Sequence, residues 1–228
     1  MNAPMNAPTN AALKAVLFDM DGVLLDSEIP TFNLMRNTLM CKGVDVTLDE
    51  LMERYMGKNS NIIYATLIEK YGFNQTVEEF RKDHRKLSGN FYMSGDVKPM
   101  PGLITLLDFL KNKGIRMAVV SSTSSMNVMF ALNRLSVLSY FDAVVCGDMV
   151  EETKPSPEAY LKAANYLKAA PDECLIVEDS PIGIQAARNA GIRVIGYKGS
   201  EHVQDTSQAD LQFASHDELL KWLSSGLV

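Results

Sequence analysis

Asp19 and Asp21 stand one residue apart, directly after the apolar run 15–18, and Gly22 follows them. A strand sends alternate side chains to the same side, so both carboxylates can face one cleft if the backbone stays extended past Phe18. Two such acids at the carboxyl end of a parallel strand sit where open α/β sheets bind ligands. Gly22 permits a tight turn that a Cβ would resist. Taken alone, Asp-x-Asp reads first as a solvated acidic turn at a strand end.

Downstream, polar residues recur in the same kind of place. Ser121 and Ser122 follow the strand-like segment 115–120, Asp148 and then Lys154-Pro155 follow 143–146, and Glu178-Asp179 follow 174–177. Each has an ordinary reading. The serines suit helix N-caps, a loop lysine is usually exposed, and Glu178 and Asp179 suit the start of a helix that runs from Ile182. In a parallel sheet, however, the carboxyl ends of the strands share one edge, where open α/β sheets bind ligands. There the acids, hydroxyls and lysine can converge on one anion.

The elements that must position these residues alternate. Strands at 15–18, 115–120, 143–146, 174–177 and 193–195, with a weaker one at 211–213, are separated by helices at 103–113, 126–135, 157–169 and 182–190. A last helix is opened by Ser215 and Glu218. This alternation predicts an α/β fold, a parallel sheet flanked by helices on both faces.

One region breaks the alternation. Ile29, Phe32, Met35 and Leu39 recur at helical spacing, as do Ile63, Leu67 and Ile68, and Val77, Phe80, His84, Leu87 and Phe91. Thr47 with Glu50 and Thr76 with Glu79 have the capping-box form. Four helices with no strand between them predict an inserted helical domain at residues 27–95. Its joints fall at 25–27 and at the linker-like 95–99. The core domain then comprises 12–26 and 96–228, and residues 1–11 are expected to be a disordered tail. His84, among apolar positions, reads as a packed core histidine.

Composition narrows the partners. The chain has 228 residues, 46% of them hydrophobic and 22% charged, with a net charge of −6. That acidity argues against nucleic acid or an anionic membrane as the main partner. Cys41, Cys146 and Cys174 are scattered with no Cys-x-x-Cys pair, which predicts reduced thiols and a cytoplasmic location. No run approaches the length of a transmembrane helix. The repeated Met-Asn-Ala-Pro at the N-terminus lacks a basic start and an apolar stretch, so it is not read as a signal peptide.

With Phe18-Asp19-Met20-Asp21-Gly22-Val23, Val120-Ser121-Ser122, Thr153-Lys154-Pro155 and Val177-Glu178-Asp179-Ser180 in order on strand ends, the chain resembles the haloacid dehalogenase-like superfamily. The likeness is to the subclass with a helical cap after the first strand, in the branch of β-phosphoglucomutase and phosphoglycolate phosphatase. It spans nearly all of the chain past the tail. The resemblance implies a Rossmann-like parallel sheet with an inserted four-helix cap domain. It also implies Asp19 as nucleophile, Asp21 as general acid/base, and Ser121, Ser122 and Lys154 as the phosphoryl grip. Mg²⁺ would be held by Asp19, the Asp21 carbonyl and Asp179, with Glu178 in the outer shell. Lys58 is a further candidate for an anionic substrate tail.

Two positions depart from β-phosphoglucomutase: Thr31 stands where that enzyme has a cap-hinge histidine, and Ser60 where it has a phosphate-binding arginine. Hydrolysis is therefore expected ahead of the mutase reaction, which must hold a second phosphate. Asp21 argues against the dehalogenases and phosphonoacetaldehyde hydrolase, which lack that acid. A non-catalytic sugar-phosphate-binding protein would be expected to have lost some of Asp19, Asp21, Lys154 and Asp179. The expected partner is a small phosphorylated metabolite, acted on by a monomeric chain.

Overall fold

The computed structural model describes residues 13–56, 60–94, 97–200 and 204–226. The expected tail, Lys58 and the joint at Gly95-Asp96 lie outside them. The chain divides into two compact units, one combining Met1–Asp26 with Lys98–Val228 and the other comprising Ser27–Val97.

The first unit is built on a six-stranded sheet in the order β3-β2-β1-β4-β5-β6. The strands are β1 (Ala15–Phe18), β2 (Arg116–Val120), β3 (Ala143–Val145), β4 (Cys174–Glu178), β5 (Arg193–Tyr197) and β6 (Leu211–Phe213), all pairing in parallel. β1 lies between β2 and β4, with Phe18 in register with Val119 and Val177. Every residue of β1 and β4 is buried, as parallel strands covered on both faces must be, and the continuous apolar runs 15–18 and 174–177 follow from that. One packed face joins Leu17, Ala118 and Ile176 to Tyr160, Ala163, Ile184 and Ala187. These last four come from helices α7 (Glu158–Tyr166) and α8 (Pro181–Asn189).

The order reverses direction about β1, which creates the switch point where ligands of open α/β sheets bind. The chain leaves the unit after Asp26 and returns at Lys98, and the segments beside the two crossings are tied: Leu25 bridges Pro99, and the Met100 N–H donates to Leu24 O at 2.9 Å.

Unit Ser27–Val97 contains helices α1 (Glu28–Cys41), α2 (Leu48–Tyr55), α3 (Ser60–Tyr71) and α4 (Val77–Ser94). Pro30 falls in the first turn of α1, where its missing N–H has no intrahelical partner to lose. Phe32, Leu39, Leu51, Tyr64, Leu67 and Phe80 form the apolar core. Both threonine–glutamate capping boxes form, with Glu50 N to Thr47 Oγ1 and Glu79 N to Thr76 Oγ1 each at 3.2 Å. His84 is buried in this core, its Nδ1 3.3 Å from Thr38 Oγ1.

Several boundaries differ from the sequence pattern. α7 stops at Tyr166, short of 169, because Lys168 turns the backbone into the left-handed region at φ 51°. β5 runs on through Gly196 to Tyr197, and β3 ends at Val145 with Cys146 buried beyond it. Short 3₁₀ turns at Leu138–Tyr140, Gly147–Met149 and Pro171–Glu173 have no clear sequence period. Among the described residues, no helix is long and apolar enough to cross a membrane.

Candidate active site

Each candidate side chain among the described residues is placed by the edge of the sheet. The β1–β4 ladder continues one step past the strand, with Asp19 N donating to Val177 O at 2.9 Å, so Asp19 leaves the sheet in extended register. The chain then folds sharply back: Leu24 N donates to Met20 O at 2.8 Å and Gly22 N to Leu25 O at 2.8 Å. Gly22 takes φ 83°, and a Cβ there would overlap the Asp179 carboxylate. Asp179, at the end of β4, therefore lies against the turn that carries Asp21.

β2 ends alike, with Ser121 N donating to Val145 O at 3.0 Å. Ser121 is buried and Ser122 is exposed. Neither caps the helix α6 (Ser125–Arg134) that follows; Ser124 is its N-cap residue, and Asp148 accepts the Ser125 N–H at 2.9 Å.

Lys154 joins three adjacent strand ends. Its ammonium donates to Asp19 Oδ1 at 2.5 Å after β1, to Val120 O at 3.2 Å in β2, and to Glu178 Oε1 at 2.8 Å in β4. An ammonium has three protons, so all are committed, and a phosphoryl oxygen can take one only by exchange. The ring of Tyr160 lies under the same ammonium, 4.8 Å from its centroid. The peptide bond from Lys154 to Pro155 is cis.

The carboxylate of Glu178 is taken up by protein donors. Its Oε1 accepts from Lys154 and, at 3.0 Å, from the Tyr160 hydroxyl. Its Oε2 accepts the Ser180 N–H at 2.9 Å and the Ser180 hydroxyl at 3.0 Å. A carboxylate offers about four lone-pair sites, and four donors fill them. In this arrangement Glu178 holds Lys154 and anchors the loop into α8, whose N-cap is Ser180.

Electrostatics mark the site as over-supplied with negative charge. Asp19, Glu178 and Asp179 are buried and Asp21 is half-buried, set against the ammonium of Lys154. Burial pushes the Asp19 carboxyl up to about 8, with Lys154 opposing and Glu178 and Asp21 adding to the rise. Burial, then Glu178 and Asp19, holds Asp179 well above the ordinary carboxylate range. Burial works against the Lys154 charge, but Asp19 and Glu178 outweigh it and keep the ammonium well above its usual value.

Among the described residues, no three His, Cys, Asp or Glu side chains converge closely enough to hold a metal by themselves. A hard divalent cation fits the site on other grounds: surplus buried carboxylate charge, with carboxylate and backbone oxygens as donors.

Two polar residues join the site without having been singled out in the sequence. Thr123 donates from Oγ1 to Asp21 Oδ2 at 3.2 Å. Tyr160 reaches Glu178 and Lys154 from α7, where the helical pattern shows only a core residue. The run of hydroxyls 121–125 offers a faint signal for Thr123; nothing local points to Tyr160.

The class defined by this fold and site is given by comparison. The family model of the haloacid dehalogenase-like hydrolases matches residues 16–197, and the chain belongs to that family. A phosphorylated carbohydrates phosphatase of Thermotoga maritima is 35% identical over 183 residues, covering 80% of this chain and 84% of its own. A phosphoglycolate phosphatase of Aquifex aeolicus is 31% identical, covering 79% and 83%. Among solved structures, a CbbY variant from Rhodobacter sphaeroides in complex with xylulose-1,5-bisphosphate is similar. Its TM-score is 0.72 at 28% identity, over 91% of this chain and 96% of its own.

Proposed function

We propose that this hydrolase is a Mg²⁺-dependent phosphatase of small phosphorylated metabolites, sugar or polyol phosphate monoesters, acting through an aspartyl-phosphate. The observation that carries this reading is Lys154, bound at once to Asp19, Val120 O and Glu178. These contacts set a buried cation against the carboxylate we read as the nucleophile, with Asp21 in the turn that follows it. The relatives named as phosphatases of carbohydrate phosphates and of phosphoglycolate point to the same substrate class.

In the first step an Asp19 carboxylate oxygen bonds to phosphorus, the bond from phosphorus to the ester oxygen breaks, and Asp21 gives that oxygen its proton. In the second step water attacks the same phosphorus, Asp21 takes its proton, and the bond to Asp19 breaks, releasing phosphate. Ser121 and the backbone N–H of Ser122 hold the phosphoryl oxygens, and Lys154 lowers the cost of charge on them and on Asp19. Asp19, the Asp21 carbonyl and Asp179 would hold Mg²⁺, which when bound offsets the surplus negative charge and that of the phosphoryl group. Lys58 is proposed to meet an anionic substrate tail.

A second reading is the phosphosugar mutase, favoured by the similarity to a Thermotoga maritima structure described provisionally as a β-phosphoglucomutase, at 31% identity and a TM-score of 0.75. Thr31 and Ser60 weigh against it. The test is a phosphate-release panel of sugar phosphates, sugar bisphosphates, phosphoglycolate, nucleotides and pyrophosphate with and without Mg²⁺. It runs beside isomerisation of β-glucose-1-phosphate primed with a bisphosphate. Metal-dependent release from a sugar or polyol phosphate supports the phosphatase; isomerisation with negligible release overturns it.

A further inference from the structure

Thr123 has three hydrogen bonds that tie together the machinery at two strand ends. Its hydroxyl donates to Asp21 Oδ2 at 3.2 Å, across 102 residues of chain. Its backbone N–H donates to Ser121 Oγ at 3.1 Å. Its carbonyl accepts the Gly147 N–H at 2.9 Å. Gly147 approaches so closely that a Cβ there would overlap the carbonyl oxygen of Ser122. The loop after β2 is thus pressed from the β3 side into one conformation, with Thr123 aimed at β1.

We infer that Thr123 is a positioning residue that sets the proton-donating geometry of Asp21, which rests on the proposed role of Asp21 as general acid. A carboxylic acid has one oxygen that bears the proton and one that accepts. The Thr123 hydroxyl engages Oδ2 as the acceptor, so that when Asp21 carries its proton, Oδ1 is the oxygen left to bear it. The same residue acts on Ser121. Ser121 Oγ accepts from Thr123 N, which leaves its own O–H proton available for donation to an anion. General acid catalysis contributes roughly 10²–10⁴-fold, and an acid free to rotate loses part of that.

The test separates acid positioning from general damage by leaving-group dependence. Thr123→Val keeps the side-chain shape and removes the hydroxyl; Thr123→Ser keeps the hydroxyl. The values of kcat/KM, which report the first chemical step, are measured for phenyl, 4-nitrophenyl and 2,4-dinitrophenyl phosphate, with Asp21→Asn alongside. An alcohol that departs readily needs little protonation. Thr123→Val should therefore lose about tenfold or more on phenyl phosphate and less than about threefold on the dinitrophenyl ester, with KM little changed. Thr123→Ser should recover most of the loss.

Equal loss on all three esters, or no loss, overturns the inference for Thr123 while a steep series for Asp21→Asn leaves the acid in place. A flat series for Asp21→Asn overturns the acid role itself, and the inference with it. Thermal unfolding of each variant identifies one that fails to fold. In that case the Thr123→Ser series decides, since a correctly folded serine variant with a newly steep series also overturns the inference.

Discussion

Lys154 donates to Glu178 Oε1 at 2.8 Å, and Glu178 is fully withdrawn from solvent. A buried charge pair is weak evidence for stability, yet removing one member strands the other. Glu178→Gln would turn an NH₂ either toward Lys154 and Tyr160 or toward the Ser180 N–H, and donors wait on both sides. The variant is expected to lose about 3 kcal/mol of stability and most of its turnover. Denaturant unfolding and steady-state kinetics check this; a variant as stable and active as the parent would show that the glutamate does not hold the lysine.

Asp19→Asn makes the opposite stability prediction. It removes one buried carboxylate from a surplus and keeps an oxygen that can accept from Lys154. Stability should be unchanged or higher, while turnover falls by about a thousandfold or more, as expected when a nucleophile is lost. Acid quenching after incubation with labelled substrate should trap label on the parent protein and none on the variant. Label retained by Asp19→Asn would move the nucleophile elsewhere.

Gly22→Ala probes the fit for a metal. The left-handed backbone alone costs about 1–2 kcal/mol for a residue with a Cβ, and the new methyl group meets the Asp179 carboxylate. Moving a proposed ligand by the width of a methyl should raise the Mg²⁺ midpoint in a thermal-shift titration by about tenfold or more. An unshifted midpoint would separate Asp179 from metal binding.

Much of this was readable in the residues, and the unreadable part has a common cause. The parallel strands declare themselves because burial on both faces demands unbroken apolar runs, as in 15–18 and 174–177. The capping boxes at Thr47 and Thr76 need only residues three apart, so local sequence contains them. The sequence beside Glu178 shows only Asp179 and Ser180. The partners of Glu178, Lys154 and Tyr160, lie 24 and 18 residues away, and only tertiary packing, with α7 set against β1, β2 and β3, brings them together. Thr123 likewise becomes informative only once β1 and β2 are adjacent.

Stability should fall with acid in both units through different histidines. Burial lowers His84 to about 4 and His216 to about 4. His84 belongs to Ser27–Val97, and His216, its Nε2 2.8 Å from Val23 O, to the other unit. The Val23 carbonyl can only accept, so Nε2 carries the proton. Both histidines bind protons more readily unfolded, at about 6.5. Their stabilisation is therefore complete above that pH and is lost as pH falls toward 4, by about 3 kcal/mol each. Urea unfolding of the parent and of His84→Asn at pH 7 and pH 5 should show a smaller drop in the variant. Equal drops would mean that His84 is not held neutral.

Gly147→Ala acts on chemistry at a distance. Gly147 follows β3 and touches no proposed catalytic side chain, but its N–H holds the Thr123 carbonyl at 2.9 Å. A methyl group there meets the backbone oxygen of Ser122, which cannot rotate away, so the loop 121–123 must shift. Overpacking of this kind costs about 1–3 kcal/mol. Displacing Thr123 should also reproduce the kinetic signature of Thr123→Val. The loss should be large on phenyl phosphate and small on the dinitrophenyl ester, and adding Thr123→Val to Gly147→Ala should cost little more, because the two act through one hydrogen bond. Fully additive losses in the double variant would place Gly147 outside the path from β3 to Asp21.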